Sequence, residues 1–500
     1  MTNSRSIHSA HAAVPCRRCV RIQPLTAAFL GLLLFLTGGC AKEPRFSSTS
    51  PEAISHYMAG VEHRNRFYLR EAEQEFRQSL AADSGLGMAW LGLATVGYMQ
   101  GSEPGARKNI HNALNLTGHA NRREQFAIRM WAHRINFHLD EARATAESLA
   151  AEYPDEVCAY QFLGELASIT KNQELSLKWF ERAIAADSTF ALSVMSLGYA
   201  YSNMGEQDNA IAAMERYIRL EPDAADPRAS LADLFVRVGR YDEALELYRA
   251  SLERKPDYWY AFQEIGQVYM WLGRLKAAEE QARRSAELVS GSPENSVPFL
   301  AFLTNTAVMR GNFEEAVELS RKALAKDSTV GRAAFQLAFA LAKTGRFTAA
   351  HEVIRHLRSE LEMRNLQESS GMAQFHLLRA RVLTLEGEYE GALAACDSAL
   401  GLSAYIDRPE IYRNLAEIRQ RMGDTEGALD ACSEALSSNP RQPFALLTLT
   451  RIYHKRNDTA MTAEVGNRLL QLWSGADADF SPLQELRRLL GQKPPTRSGS

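Results

Sequence analysis

The chain is 500 residues long, 46% apolar and 23% charged, with a formal net charge of −3. That composition excludes a disordered chain and a multi-span membrane protein, and the charge balance offers no basic stripe for nucleic acid. Length alone suggests about three domains, a prior that a repeat array escapes because its core grows by stacking units.

At the N-terminus Arg17, Arg18 and Arg21 precede an apolar run, Leu25 to Leu36, followed by Thr37-Gly38-Gly39-Cys40. The run is too short to span a bilayer comfortably and reads as a secretion signal over residues 1–39. The small residues before the Cys resemble the lipobox of bacterial lipoproteins. Thr37 departs from it, standing where an aliphatic residue is usual, with Leu36 one place further back. The resemblance implies cleavage before Cys40 and lipidation of its thiol. Acyl chains contribute about 0.8 kcal/mol per buried methylene and hold a protein on a membrane surface without spanning it. Ala41 after the Cys, rather than Asp, implies the periplasmic face of the outer membrane. Cleavage removes four arginines and no acid, leaving 53 basic residues against 60 acidic ones, or −7. The C-x-x-C of Cys16 and Cys19 leaves with the signal.

Residues 40–51 suit a short tether. From Glu52 onward the sequence repeats. Leu197-Gly198 answers to Leu231-Ala232, Gly205 to Gly239, Ala210 to Ala244 and Pro222 to Pro256, each pair 34 residues apart. Extended both ways, one small-residue column reads Ala72, Ala106, Ala142, Ser176, Ala210, Ala244, Ala278, Ala316, Ala350, Ala392, Ala428 and Thr462. A second column reads Gly60, Ala94, Met130, Gly164, Gly198, Ala232, Gly266, Thr304, Ala338, Ala380, Ala416 and Thr450. Two small-residue columns predict two antiparallel helices per unit, crossing too closely for larger side chains. Gly205, Gly239, Gly273, Gly311, Gly345, Gly387 and Gly423 predict left-handed ends to first helices.

On these residues the chain resembles the tetratricopeptide repeat (TPR) family. The resemblance implies an all-α, right-handed superhelical α-solenoid of about twelve helix-turn-helix units. Units 1–7 then occupy residues 52–292, units 8–9 residues 297–364 and units 10–12 residues 373–475. Residues 476–500 supply a capping helix, with Leu483, Leu486 and Leu490 on one face, and a disordered tail. The third unit, with Met130 and no turn glycine, and the eighth and twelfth, with Thr304 and Thr450, look weak. The insertions around 291–296 and 365–372 predict a bend or a break in register.

In the family the first helix of each unit lines a concave groove that takes an extended peptide or a partner's helix. Carried over, the groove positions are Tyr199, Ser202 and Asn203, then Asp226, Asp233 and Arg237, then Tyr260, Gln263, Gln267, Met270 and Trp271. Tyr57, Tyr98, Trp131, Phe335 and Phe339 are further groove aromatics. The partner-binding set expected to matter most is Tyr199, Asn203, Arg237, Tyr260, Gln263, Gln267 and Trp271. Exposed Tyr, Trp and amide groups are enriched at protein-binding surfaces. Asp233 beside Asn203 and Arg237 argues against a clamp for a carboxylate terminus.

Motifs for catalysis, metal or cofactor are wanting. In HEVIRH the histidines His351 and His356 are five apart, about 140° round a helix, rather than the four that put two ligands on one face. GSEPGARK, from Gly101 to Lys108, lacks the P-loop order. Cys396 and Cys432 share one repeat column and read as buried apolar groups, and a disulfide between them would need Cα atoms within about 7 Å. The expectation is therefore a lipid-anchored extracytoplasmic scaffold for protein or peptide partners in envelope assembly or secretion, with no catalytic residues, cofactor, small-molecule substrate or nucleic acid. The alternative is a component that handles polysaccharide or peptidoglycan, its aromatics stacking on sugars.

Overall fold

The computed structural model describes residues 45–492 apart from 101, 171, 291–295, 327–330, 365, 367–369 and 404–407. The expected signal peptide, Cys40 and the final residues of the tail lie outside the described residues. Within them the chain folds into 25 helices and no strands.

The helices come in pairs joined by tight turns. Units 1 to 3 are α1 (Pro51–Asn65) with α2 (Leu69–Ala82), α3 (Gly87–Met99) with α4 (Glu103–Asn115), and α5 (Arg122–Ile135) with α6 (Leu139–Glu152). Units 4 to 6 are α7 (Val157–Ile169) with α8 (Gln173–Ala186), α9 (Ala191–Met204) with α10 (Gln207–Leu220), and α11 (Asp226–Arg237) with α12 (Tyr241–Arg254). Units 7 to 9 are α13 (Trp259–Trp271) with α14 (Leu275–Ser290), α15 (Val297–Arg310) with α16 (Phe313–Lys326), and α17 (Gly331–Lys343) with α18 (Phe347–Met363). Units 10 to 12 are α19 (Ser370–Glu386) with α20 (Tyr389–Leu402), α21 (Arg408–Met422) with α22 (Thr425–Ser437), and α23 (Pro443–Lys455) with α24 (Thr459–Leu472). A short α25 (Ser481–Leu489) follows.

The small residues are where the paired helices touch. Every alanine of the second-helix column, from Ala72 to Ala428, is fully buried. In the first-helix column Gly60, Gly164 and Gly198 admit a large partner, Phe76, Phe180 or Met214, four residues beyond the second-helix column. A Cβ on Gly60 would stand 2.6 Å from the Phe76 ring, and one on Gly164 would overlap the Phe180 ring in the same way. A ring seated in that notch buries more apolar area than the methyl it excludes, which offsets the roughly 1 kcal/mol of helix propensity that glycine costs.

Turn geometry is kept even where the glycine is missing. Gly205, Gly239, Gly273, Gly311, Gly345, Gly387 and Gly423 all have positive φ. Phe67, Phe137 and Asn457 take the same left-handed conformation in units 1, 3 and 12, with φ of 59°, 62° and 58°. The third unit is therefore stronger than its sequence suggested: packing of its helices holds Phe137 where local preference would not. Met130 is 2% exposed and joins a core that the third unit shares with Phe162 and Leu163 of the fourth.

Nor does either insertion interrupt the core. The extra residues lengthen α14, α18 and α19 to 16, 17 and 17 residues. Ala282 and Ala286 of α14 share a cluster with Phe299 and Phe302 of α15, and Leu357 of α18 shares one with Met372 and Phe375 of α19. Apolar packing thus continues across both places among the described residues.

The stack coils until distant units meet. Unit 1 reaches units 5 to 7: Arg66 pairs with Glu221 at 2.9 Å, Lys255 with Glu71 at 2.5 Å, and the Ala225 amide donates to the Tyr68 hydroxyl at 3.0 Å. Arg364 after α18 pairs with Glu103 of α4 at 2.5 Å. At the C-terminal end Trp473 Nε1 donates to the Trp271 carbonyl at 3.0 Å, and the Asp477 amide to the Gly273 carbonyl at 2.9 Å. Thus α25 and the segment before it cover the last unit, as Leu483 and Leu486 predict, and also dock the chain end onto unit 7. These contacts wrap the first helices round a lumen.

Candidate functional site

First helices supply almost all of the lumen wall. A cavity of about 520 Å³ opens between units 1 and 5, and one of about 720 Å³ extends from α11 to α25. One column accounts for much of the lining: the residue directly after the small residue of each first helix. It contributes Thr95, Trp131, Glu165 and Tyr199 to the first cavity and Gln267, Asn305, Phe339, Arg381 and Arg451 to the second. A fixed place in the repeat faces inward in most units because each first helix is clamped at a similar rotation by its small-residue contact, Asp233 of the sixth unit lying inside the wall instead.

The N-terminal cavity is mostly apolar, with Met58, Met88, Met99 and Met195 among aromatic rings. Among the described residues its deeply buried cation is Arg134, 7% exposed. The guanidinium lies 5.4 Å from the Tyr98 ring centre, 5.0 Å from Trp131 and 5.3 Å from Phe162, and pairs with Glu165 at 2.6 Å. Burial works against its charge, but Glu165 and Tyr98 more than offset this and hold its pKa above the ordinary value.

The expected binding residues are placed apart. All seven are half-buried. Tyr199 lines the N-terminal cavity, whereas Arg237, Gln267 and Trp271 line the other. The hydroxyls of Tyr199 and Tyr260 are engaged inside the wall, donating to Asp233 Oδ2 at 2.6 and 2.8 Å, while Tyr248 of α12 donates to Oδ1 at 2.5 Å. Arg237 donates to Ser202 Oγ at 3.1 Å and Asn203 Oδ1 at 3.3 Å, with its guanidinium over the Tyr199 ring. Gln263 Nε2 donates to Glu264 Oε1 at 3.1 Å. Asp233, beside the expected groove residues, thus ties units 5, 6 and 7 together.

Sequence reasoning passed over the cations of the later first helices, among them Lys343, Arg381, Arg413 and Arg451. The signal was present in the groove columns, but a chain-wide charge of −3 averages it away. Among the described residues no three His, Cys, Asp or Glu side chains gather as a metal site. His351, from HEVIRH, faces Glu386 Oε2 at 2.7 Å. Cys396 and Cys432 are free thiols, fully buried. No helix among the described residues is long and apolar enough to cross a membrane.

Residues 193–224, 229–293 and 307–362 match the tetratricopeptide repeat family. No curated protein matches the chain. Among solved structures it is similar to the human IFIT1 dimer with m7Gppp-AAAA, at 17% identity and a TM-score of 0.43 over 78% of this chain and 90% of that one. It is also similar to a thermophilic TPR protein of Thermus thermophilus, at 23% identity and a TM-score of 0.32 over 37% of this chain and 99% of that one. A tetratricopeptide repeat protein from Parabacteroides merdae is similar at 17% identity and a TM-score of 0.36, over 52% and 98% of the two chains. The matched segments run from α9 to α18 inside a stack of helix pairs built on one repeat; these segments are tetratricopeptide repeats, which imply a scaffold for protein–protein interaction.

Proposed function

We propose that this chain holds an extended segment or a helix of a protein partner in its lumen, while lipid on Cys40 tethers it to the periplasmic face of a bacterial outer membrane. The observation that carries the reading is the continuous lumen lining by first helices, with cavities of about 520 and 720 Å³. A groove of this kind buries side chains of a partner on several units at once, so modest contacts accumulate. The role is one of holding and positioning rather than of catalysis, and envelope assembly or secretion is the setting that the N-terminal segment supports.

Glycan handling is the weaker reading. Sugar stacking needs open aromatic faces, and Trp131 has Arg134 over its ring and meets Tyr98 and Phe162 in T-shaped contacts. Tyr199 likewise lies under Arg237.

The test is site-specific photo-crosslinking in native membranes, with the reactive residue at Gln267 in the lumen or at Glu280 on α14, which is exposed. Partners captured from Gln267 and not from Glu280 support the lumen; equal capture from both positions, or capture from Glu280 alone, contradicts it. Fatty-acid labelling that persists after Cys40→Ala would sink the anchor.

A further inference from the structure

Around units 9 to 12 the lumen wall holds a cavity of about 530 Å³ lined by six basic side chains, Lys343, Arg381, Arg413, Arg421, Arg451 and Lys455, and by two carboxylates, Glu417 and Glu485. Four of the six are engaged. Arg413 pairs with Glu410 at 2.5 Å, Arg421 with Glu417 at 3.0 Å and Arg451 with Glu485 at 2.6 Å, and Lys455 Nζ donates to the Gln420 carbonyl at 2.9 Å. Lys343 and Arg381 have no carboxylate within ion-pair distance among the described residues. Both lie against one ring, that of Phe339, at 5.6 and 4.1 Å from its centre. Water reaches both from the lumen, since Lys343 is exposed and Arg381 half-buried. Surrounding protein and the neighbouring arginines nonetheless hold each below its ordinary pKa. Two adjoining cations that share a wall without a paired counter-charge repel one another, and an anion in the lumen removes that cost.

Resting on the reading of the lumen as a protein-binding groove, we propose that units 9 to 12 form an anion site for acidic side chains of the partner segment, with Lys343 and Arg381 as the cations reserved for them. The two cations come from consecutive first helices, α17 and α19, whose axes lie roughly 8–10 Å apart when packed. An extended peptide advances about 3.3–3.6 Å per residue, so carboxylates two or three residues apart meet successive units. A nucleic-acid strand fits less well. Its charge is continuous, and Glu410, Glu417 and Glu485 are interleaved with the cations along the same wall. A peptide can set neutral residues opposite those carboxylates.

The experiment is selection of a random extended-peptide display library on the mature protein, run in parallel on wild type, on Lys343→Gln/Arg381→Gln, and on Arg381→Lys. Neither side chain is hydrogen-bonded to the fold among the described residues, and an unchanged melting curve is the control for folding. Expected is enrichment of Asp and Glu at two- or three-residue spacing on wild type, affinity at least about tenfold weaker for the double variant, and retention by Arg381→Lys. Neutral sequences, or equal acidic enrichment on wild type and double variant, overturn the anion site while leaving the protein-binding groove standing. Recovery of no sequences overturns both. A single-stranded oligonucleotide that binds as tightly as the selected peptides, and is weakened by the same double variant, overturns the peptide assignment in favour of nucleic acid.

Discussion

Tyr260 on α13 donates to Asp233 on α11 at 2.8 Å, across the boundary between the sixth and seventh units. The same carboxylate oxygen accepts from Tyr199 of the fifth unit, and the other from Tyr248. One side chain therefore bridges three consecutive units inside the wall. Asp233→Ala strands three tyrosine hydroxyls and is expected to destabilise units 5–7 by about 3 kcal/mol or more, whereas Asp233→Asn keeps an acceptor and costs less. Hydrogen exchange of α9–α13 peptides reads the difference; equal exchange in both variants would show that the bridge contributes nothing.

A second aspartate on the same helix makes stability depend on pH. Asp226 is 4% exposed and accepts from Tyr258 at 2.6 Å and Tyr217 at 2.8 Å. Burial pushes its carboxyl up from 3.8 to about 6, against the pull of the two tyrosine hydroxyls. An acid raised on folding binds its proton more tightly in the folded state. Its contribution is fully present below pH 3.8 and is lost as pH rises through about 6, a change of about 3 kcal/mol. Asp226→Asn is expected to remove that slope. Urea midpoints between about pH 4 and 7 should fall more with rising pH in wild type than in the variant.

The glycine notches predict opposite outcomes for one kind of substitution. Gly164→Ala drives a methyl into the buried Phe180 ring and is expected to cost about 1–3 kcal/mol, although alanine is the better helix former by about 1 kcal/mol. Gly401→Ala on α20 meets nothing within 4 Å and is expected to be neutral or stabilising. Thermal melts of the two variants check the contrast.

Trp473 joins the twelfth unit to the seventh. It is 1% exposed, its ring meets Phe480 edge-on at 5.0 Å, and its indole donates to the Trp271 carbonyl. Trp473→Ala is expected to cost about 3–5 kcal/mol locally and to release the segment of Asp477 and Phe480 from α13. Faster proteolysis between α24 and α25, with the middle units still protected, is the expected readout.

Cys158 lines the N-terminal cavity and is open to it, yet surrounding protein and then Glu156 push its thiol up to about 11 from 9.0. Alkylation of the folded protein at neutral pH should run slower than for an ordinary thiol, since only the thiolate reacts and less of it is present. Mass spectrometry that finds Cys158 modified as fast as a free cysteine would contradict this.

Repeat periodicity carried most of the fold. The alanine column and the turn glycines predict helix pairs at fixed rotation because each is a local demand, for close approach or for positive φ, that few residue types meet. Phe67 and Phe137 meet the second demand without a local preference for it, so only packing reveals their turns, whereas Asn457 is a residue type that adopts it readily. The groove columns were legible for the same reason as the fold: a fixed register names which residues face inward.

What faces inward can still be engaged by its neighbours, and the sequence by itself is silent on that. Tyr199 and Tyr260 read as free binding groups until Asp233 took both hydroxyls. Lys343 and Arg381 vanished into a balanced chain-wide charge until the packing of α19 beside α17 set both against Phe339. The local repeat determined the helices, their pairing and the inward column. Only the tertiary structure decided which inward groups remain unpaired, because that depends on contacts between successive units and on the return of unit 1 to unit 6 and of unit 12 to unit 7.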